Sequence, residues 1–265
     1  MNVPVSPAAC WAKPPSTLSR RKKVVDVWKG GLAADSGNES FLAGLLDSRE
    51  QETARKFRHE MHARRYVASH AMVRMVLARY LGADPAVIRF VRNKAGKPSL
   101  HPGLASPLEF NLSHSAGVVV LAVAPGLPVG IDIEYTGRTA DTAGIAQRFF
   151  TAAEFEKISR LPEDRQREAF FRCWTRKEAY AKAKGLGISI GLDSFEVPFL
   201  AGDPGALLSS DRFPCDAGVW HFLDIPAGEG YVCSLALPES PDQVNYYRFD
   251  AADFPGPAEK PGGDH

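Results

Sequence analysis

The segment WTRKEAYAKAKGLGI at positions 174–188 constrains the fold most, because it predicts a long helix with a defined end. Residues 169–184 contain no Pro or Gly and are rich in Ala, Lys and Glu, which are strong helix formers. Gly185 follows a lysine-rich turn, as expected where a left-handed glycine caps a helix. Glu178 and Lys182 are one turn apart and share a helix face. Such a pair can be a surface ion pair or one wall of a site, and the helix alone leaves both open.

Composition excludes several classes of function. Of 265 residues, 45% are hydrophobic and 24% are charged, and the net charge is +1, so overall charge predicts no nucleic-acid or membrane partner. The longest apolar run, Val118–Ala124, is too short to span a bilayer. The four cysteines are widely spaced, which favours neither a zinc site nor a disulfide framework. With no apolar signal segment at the N-terminus, we expect a cytoplasmic protein.

Local patterns predict two strand–helix–strand halves, residues 20–125 and 126–250. Residues 1–19 are rich in Pro and Ser and are expected to be disordered, and residues 251–265 are expected to form a loose tail. In the first half the predicted elements are a strand at 24–28, helices from the capping box at 47–51 through 58 and over 63–81, and hairpin strands at 110–113 and 118–124. In the second half they are a strand at 129–134, a capped helix start at 151–154, a helix at 168–184, and strands at 195–197, 219–223 and 231–237.

The strand at 129–134, VGIDIE, places two carboxylates on one face. Asp132 and Glu134 alternate with apolar residues, so their side chains leave the strand about 7 Å apart. That spacing suits a shared divalent cation, and oxygen ligands favour Mg²⁺ or Mn²⁺ over zinc. Gly130 lies on the same face and could leave room for a ligand. The alternative is a strand whose polar face is simply in water.

Two further motifs contain candidate nucleophiles or phosphate ligands. In FNLSHS at 110–115, His114 is flanked by Ser113 and Ser115, and this group can donate to a phosphate or cap the turn. The sequence GISIG at 187–191 matches the GxSxG pattern of serine hydrolases through Ser189. That nucleophile elbow requires a strand before the serine and a helix after it. Here a helix comes first, which argues against the match.

In order and spacing, these stretches resemble one family, the Sfp-type 4′-phosphopantetheinyl transferases, over about residues 24–240. The motifs that carry the resemblance are FNLSHS at 110–115, GIDIE at 130–134, RFF at 148–150 followed by Glu154, WTRKEAYAKAKGLGI at 174–188, GKP at 96–98 and ARRY at 63–66. The resemblance implies an α+β fold of two similar halves, a pseudo-dimer with the active site in the cleft between them. It also implies Mg²⁺-dependent transfer of the phosphopantetheine arm of coenzyme A to a serine of an apo carrier protein, with release of adenosine 3′,5′-bisphosphate.

Carried over by motif, the resemblance implies roles for individual residues. The metal ligands would be Asp132, Glu134 and Glu178. Lys182 would contact the pyrophosphate and stabilise the departing oxygen, and we take Glu178 as the candidate base for the carrier serine. The residues that would hold the nucleotide end of coenzyme A, including its 3′-phosphate, are Arg65, Lys97, Ser113 and His114, with Arg58 added from a looser part of the alignment. The carrier surface would include exposed parts of 135–150.

Three alternatives stay open at this point. The first is a Mg²⁺-dependent hydrolase of coenzyme A or another pyrophosphate, which would use the same three carboxylates with water as the nucleophile. The second is a non-catalytic module that binds coenzyme A or a carrier, and the third is a serine hydrolase acting through Ser189. Since a pseudo-dimer needs no second chain, we expect a monomer. The sequence does not specify which carrier protein is modified.

Overall fold

The computed structural model describes residues 11–32, 39–203 and 205–253, and it arranges them in four layers ordered helix, sheet, sheet, helix. The helices are α1 (Glu39–Gly44), α2 (Ser48–Arg55), α3 (Glu60–Leu81), α4 (Thr142–Phe149), α5 (Ala152–Ser159) and α6 (Glu163–Lys184). The strands are β1 (Val24–Gly31), β2 (Phe90–Arg92), β3 (Pro98–Leu100), β4 (Leu108–Ser115), β5 (Val118–Pro125), β6 (Gly130–Tyr135), β7 (Phe195–Glu196), β8 (Ser209–Ser210), β9 (His221–Asp224), β10 (Tyr231–Leu237) and β11 (Gln243–Arg248). None of the helices in these ranges is long and apolar enough to cross a membrane.

Each half consists of a long helix packed against a sheet, which confirms the predicted α+β fold. The first sheet has the order β11-β1-β5-β4, and α3 covers the face that carries Trp28 and Leu121. The second sheet has the order β6-β10-β9, and α6 covers the face that carries Ala236. We call these two units the first and second lobes.

The two sheets face each other through their remaining apolar faces. Val27 and Ala122 of the first sheet belong to the same buried cluster as Ile131, Ile133 and Leu235 of the second. In a strand, side chains alternate between faces, so Ile131 and Ile133 point to the other lobe while the residues between them point to α6. The hydrophobic half of the VGIDIE pattern therefore joins the lobes, and its polar half is free to build a site.

The last strand described, β11, returns to the first lobe. It pairs in parallel with β1, and Asn245 donates a 2.7 Å hydrogen bond to the buried Asp26 of that strand. The predicted division at residue 126 assigns this strand to the second half, so the lobes differ from the predicted halves here. A parallel pairing between positions more than 200 residues apart leaves no local pattern in the sequence.

Part of the N-terminal segment is ordered, contrary to the prediction for residues 1–19. The Trp11 indole donates a 3.0 Å hydrogen bond to the Pro226 carbonyl and packs edge-on against Tyr246, and Leu18 is buried. These contacts bury Leu18 and partly bury Trp11, which is why a Pro-rich segment holds one conformation here. Residues 1–10 and 254–265, the rest of the predicted loose ends, lie outside the described residues.

The predicted helix boundaries are confirmed where capping chemistry defines them. Asp47 and Thr151 each begin a capping box, and Gly82 and Gly185 cap α3 and α6 with φ of 64° and 66°. The prediction that the first of these helices continues through residue 58 is wrong, because α2 ends at Arg55. Residues 56–59 instead connect α2 to α3.

Candidate functional site

The site begins where β6 passes unusually close to α6. A Cβ atom on Gly130 would lie 1.9 Å from the Ala179 carbonyl oxygen and 2.6 Å from the Ala183 nitrogen. The interpretation of Gly130 as an opening for a ligand is therefore wrong, because the space is filled by the backbone of α6. This close approach brings the polar face of β6 against the helix face that carries Glu178 and Lys182.

Asp132 is the buried centre of the site. Its Oδ1 accepts hydrogen bonds from the Lys182 ammonium at 2.6 Å and from the Ser113 hydroxyl at 2.9 Å. Its Oδ2 is also buried, yet this oxygen has no hydrogen-bond partner among the described residues. An unpaired carboxylate oxygen is costly to bury, so it points to a ligand that supplies positive charge.

The charge of Asp132 affects the nearby carboxyl groups of Glu134 and Glu178. Burial, followed by the negative charge of Asp132, raises the pKa of the Glu134 carboxyl and the pKa of the Glu178 carboxyl. Arg138, 3.2 Å from Glu134, and Lys182, near Glu178, offset these shifts in part. Carboxylates that repel one another at a partly buried site are typical of functional positions.

The donor set fits a hard divalent cation. Asp132 has an unpaired buried oxygen and its charge acts on the carboxylates of Glu134 and Glu178. Carboxylate oxygens are the donors that Mg²⁺ and Mn²⁺ prefer. Within the described residues, no three His, Cys, Asp or Glu side chains are grouped so that they could hold a metal ion as they stand. The Lys182 ammonium pairs with Oδ1 of Asp132, which leaves Oδ2 as the oxygen without a partner.

Side chains of β4 bridge the two lobes beside these carboxylates. The N–H groups of β6, the edge strand of the second sheet, face β4, and polar side chains of β4 accept hydrogen bonds from them. These contacts, which we call the side-chain ladder, join Asn111 to Ile131 N at 2.8 Å, Ser113 to Ile133 N at 3.4 Å and Ser115 to Tyr135 N at 3.0 Å. The hydroxyl hydrogen of Ser113 goes to Asp132, so the predicted contact of Ser113 with a phosphate competes with this bond.

Arg65 and His114 lie together on the other face of β4. The His114 side chain is exposed at its rim, while desolvation and then the charges of Lys182 and Arg65 lower the pKa of its imidazole. Arg65 reaches the β4–β5 turn, where its Nη2 would be 3.8 Å from a Cβ on Gly117. Its Nε is buried with no hydrogen-bond partner in the described part of the chain. A cation with unused donor capacity fits an anionic ligand, and the predicted contact with a phosphate stays a prediction.

Lys97 and Arg58 are placed differently from the other predicted residues. The Lys97 ammonium donates to the Val129 carbonyl at 3.2 Å and to the Ala183 carbonyl at 3.0 Å, and burial lowers its pKa. It therefore fastens the β2–β3 hairpin to the end of α6, and its nucleotide contact stays a prediction. Arg58 is exposed between α2 and α3, and nothing in the described ranges ties it to the carboxylates.

Several residues that sequence reasoning missed, or left without a role, acquire one in the structure. Lys177 lies 2.7 Å from the Glu154 carboxylate, and both side chains are fully buried, so these motif positions form a structural ion pair. Arg49 and Arg92 line a cavity of about 390 Å³ in the first lobe, together with Tyr66. No local signal distinguishes these two arginines from the many others on predicted helix and loop surfaces.

The hydrolase alternative based on Ser189 loses its geometric basis. Ser189 lies in a short 3₁₀ turn that follows α6, and its hydroxyl donates to the Leu186 carbonyl at 2.6 Å. A helix precedes the serine where a nucleophile elbow requires a strand.

Comparisons with known proteins cover both lobes. A family model described as the 4′-phosphopantetheinyl transferase superfamily matches residues 128–236, and one described as 4′-phosphopantetheinyl transferase, N-terminal, matches residues 36–126. The chain is 34% identical to 4′-phosphopantetheinyl transferase HetI of Nostoc sp., over 86% of this chain and 93% of that protein. It is 29% identical to 4′-phosphopantetheinyl transferase Sfp of Bacillus subtilis, over 86% of this chain and 98% of that protein. It is 28% identical to the rat L-aminoadipate-semialdehyde dehydrogenase-phosphopantetheinyl transferase, over 81% of this chain and 74% of that protein.

Proposed function

This chain belongs to the Sfp-type 4′-phosphopantetheinyl transferases and transfers the 4′-phosphopantetheine arm of coenzyme A to apo carrier proteins, and we propose that a divalent cation held by Asp132, Glu134 and Glu178 supports the transfer. Family membership favours this reaction over the hydrolase and over the non-catalytic binding module. The acceptor group is a serine hydroxyl of the carrier, and the second product is adenosine 3′,5′-bisphosphate.

The buried, unpaired Oδ2 of Asp132 carries the proposal. Mg²⁺, or Mn²⁺ in its place, would neutralise charge on the pyrophosphate and on the departing phosphate when bound. Lys182 already lies 2.6 Å from Asp132, at the edge of the carboxylate group. Its ammonium is therefore placed to contact the pyrophosphate and to stabilise the oxygen that leaves with the adenosine bisphosphate.

Glu178 is the base in this proposal. The serine of the carrier is a weak nucleophile at neutral pH, and a base whose pKa lies closer to neutral removes its proton more effectively. Burial and the charge of Asp132 move the pKa of Glu178 in that direction. As the proton leaves, directly or through a water, the serine oxygen bonds to the phosphorus that bears the pantetheine arm. The bond from that phosphorus to the adenosine bisphosphate oxygen then breaks.

For the nucleotide end, we favour Arg65 and His114 as the main contacts with the 3′-phosphate. Arg65 lies close enough to His114, at the end of β4, to affect its pKa, and the Nε of Arg65 is unpaired in the described structure. Ser113 and Lys97 already donate hydrogen bonds to protein atoms. Each would have to exchange such a bond for a hydrogen bond to the 3′-phosphate. Arg58 remains a secondary candidate.

We also propose a location, an assembly state and a carrier surface. The free thiols of Cys173, Cys215 and Cys233 support a reducing, cytoplasmic location. The placement of both sides of the site on one chain supports a monomer. The 135–150 segment follows the carboxylate strand directly, and this position supports it as part of the carrier surface.

Mass spectrometry of a panel of apo carrier proteins tests the proposal. We expect a phosphopantetheine-sized gain with coenzyme A and Mg²⁺, and loss of that gain when EDTA replaces Mg²⁺. Glu178→Gln should remove most turnover while the melting temperature stays near the wild-type value. Glu163→Gln, an exposed change on the same helix, is the matched control and should keep wild-type turnover. Transfer that continues in EDTA would reject the cation, and near-normal turnover of Glu178→Gln would reject the base.

A further inference from the structure

Ser115 makes a paired contact with β6 that the proposed reaction does not use. We infer that Ser115 is a positioning residue, which holds Glu134 in the orientation that binds the cation. The inference rests on the proposed function, because it concerns the same carboxylate group. Ser115 itself lies in the first lobe and touches neither Asp132 nor Glu178 by any hydrogen bond found in the described residues.

The Ser115 hydroxyl is used as both donor and acceptor. Its Oγ accepts a hydrogen bond from Tyr135 N at 3.0 Å and donates to Glu134 Oε2, also at 3.0 Å. A hydroxyl has a single hydrogen, so the N–H contact fixes the oxygen while that hydrogen is committed to the carboxylate. The backbone of β6 thus sets the direction from which Glu134 is held.

The same arrangement recurs one pleat earlier. Ser113 accepts from Ile133 N at 3.4 Å and donates to Asp132 Oδ1 at 2.9 Å. In both cases a serine of β4 holds the carboxylate at one position of β6 and accepts the N–H of the next residue. This repeat with a period of two indicates that the side-chain ladder orients carboxylates as well as joining the two strands.

Glu134 has few other constraints. Its second described partner is Arg138, whose side chain is 47% exposed, so solvent screens that ion pair. Asp132, two residues away on the same face of β6, carries a like charge that repels Glu134. Without Ser115, the carboxylate could turn away from Asp132 toward solvent, and a cation would have to pull it back on binding. Outer partners of this kind typically change metal affinity by about 10–100-fold.

Direct Mn²⁺ binding tests the inference, measured from the electron paramagnetic resonance signal of free Mn²⁺ with and without coenzyme A. For Ser115→Ala we expect a Kd for Mn²⁺ raised about tenfold, at the lower end of the usual range because Arg138 still contacts Glu134. Ser115→Thr keeps the hydroxyl and should restore most of the affinity. Thr136→Val is the matched control, because it removes one hydroxyl hydrogen bond just after the end of β6, to the Gly230 carbonyl, and should leave the Kd unchanged.

The outcomes separate this inference from the proposed function. If the wild type binds Mn²⁺ and Ser115→Ala binds it equally well, the positioning role is rejected while the metal site stands. A lower melting temperature with an unchanged Kd would likewise show a purely structural role. If the wild type binds no Mn²⁺ in either condition, the metal site fails and the inference fails with it. Ser115→Cys, a weaker donor of similar size, provides the same test should the alanine variant not fold.

Discussion

The close contact between β6 and α6 gives a sharp prediction for Gly130→Ala. The new Cβ would lie 1.9 Å from the Ala179 oxygen, whereas such atoms do not approach closer than 3.0 Å, so strand and helix must separate by about 1 Å. Both clashing groups are backbone atoms, which cannot rotate away as a side chain can. The cost should therefore reach the upper end of the range for overpacking, about 3 kcal/mol. For a chain of this size, that corresponds to a fall in melting temperature of about 6–12 °C.

Activity should suffer more than stability alone explains. The clashing residues lie next to Glu178 and Lys182 in sequence, so a retreat of α6 moves both away from Asp132. Gly31→Ala is the matched control, because a Cβ there would meet no atom within 4 Å and the residue is exposed at the end of β1. We expect its melting temperature to stay within about 4 °C of wild type, since a tolerated Gly→Ala change is worth less than about 1 kcal/mol.

Thermal unfolding and carrier modification at 25 °C would be measured for both variants. The expected pattern is a large fall in melting temperature and turnover for Gly130→Ala and neither change for Gly31→Ala. If Gly130→Ala matched Gly31→Ala in both measurements, the account of this glycine as a backbone contact would be refuted, and the placement of α6 against the carboxylate strand with it.

Two further predictions concern buried charges away from the cation site. Lys177→Met leaves the fully buried Glu154 carboxylate without its cation and should lower the free energy of unfolding in urea by about 3–5 kcal/mol, whereas the exposed Lys157→Met should change it little; equal effects would contradict the buried pair. Burial is the largest cause of the raised pKa of Asp26 in the folded protein. The contribution of Asp26 to stability is therefore complete below the usual aspartate pKa of 3.8, and it is lost as the pH rises through the raised pKa of the folded state. The stability of wild type relative to Asp26→Asn, measured by urea unfolding, should therefore fall as the pH rises above 3.8 and level off once the folded pKa is passed, and a constant difference would contradict this assignment.

The elements that build the site were predictable because their signals are local. The helix that carries Glu178 and Lys182 has strong formers and a glycine cap, and the carboxylate strand shows a clear alternation. The sequence cannot show which part of the backbone packs against a given residue. Gly130 reads equally well as space for a ligand or for a helix, and only the packed structure distinguishes them. The partners of Lys97 are carbonyl groups, which no side-chain pattern encodes.

The position of the site follows from how the two sheets meet. A strand at the edge of a sheet presents unpaired N–H groups, and these must be satisfied or kept in water. In β6 those groups face β4, and the side chains of Asn111, Ser113 and Ser115 satisfy them in place of another strand. A serine that accepts an N–H still has a hydrogen to donate, and in this structure it goes to Asp132 or Glu134. The same hydroxyl groups therefore join the lobes and orient the carboxylates, which accounts for the serines at alternate positions of β4.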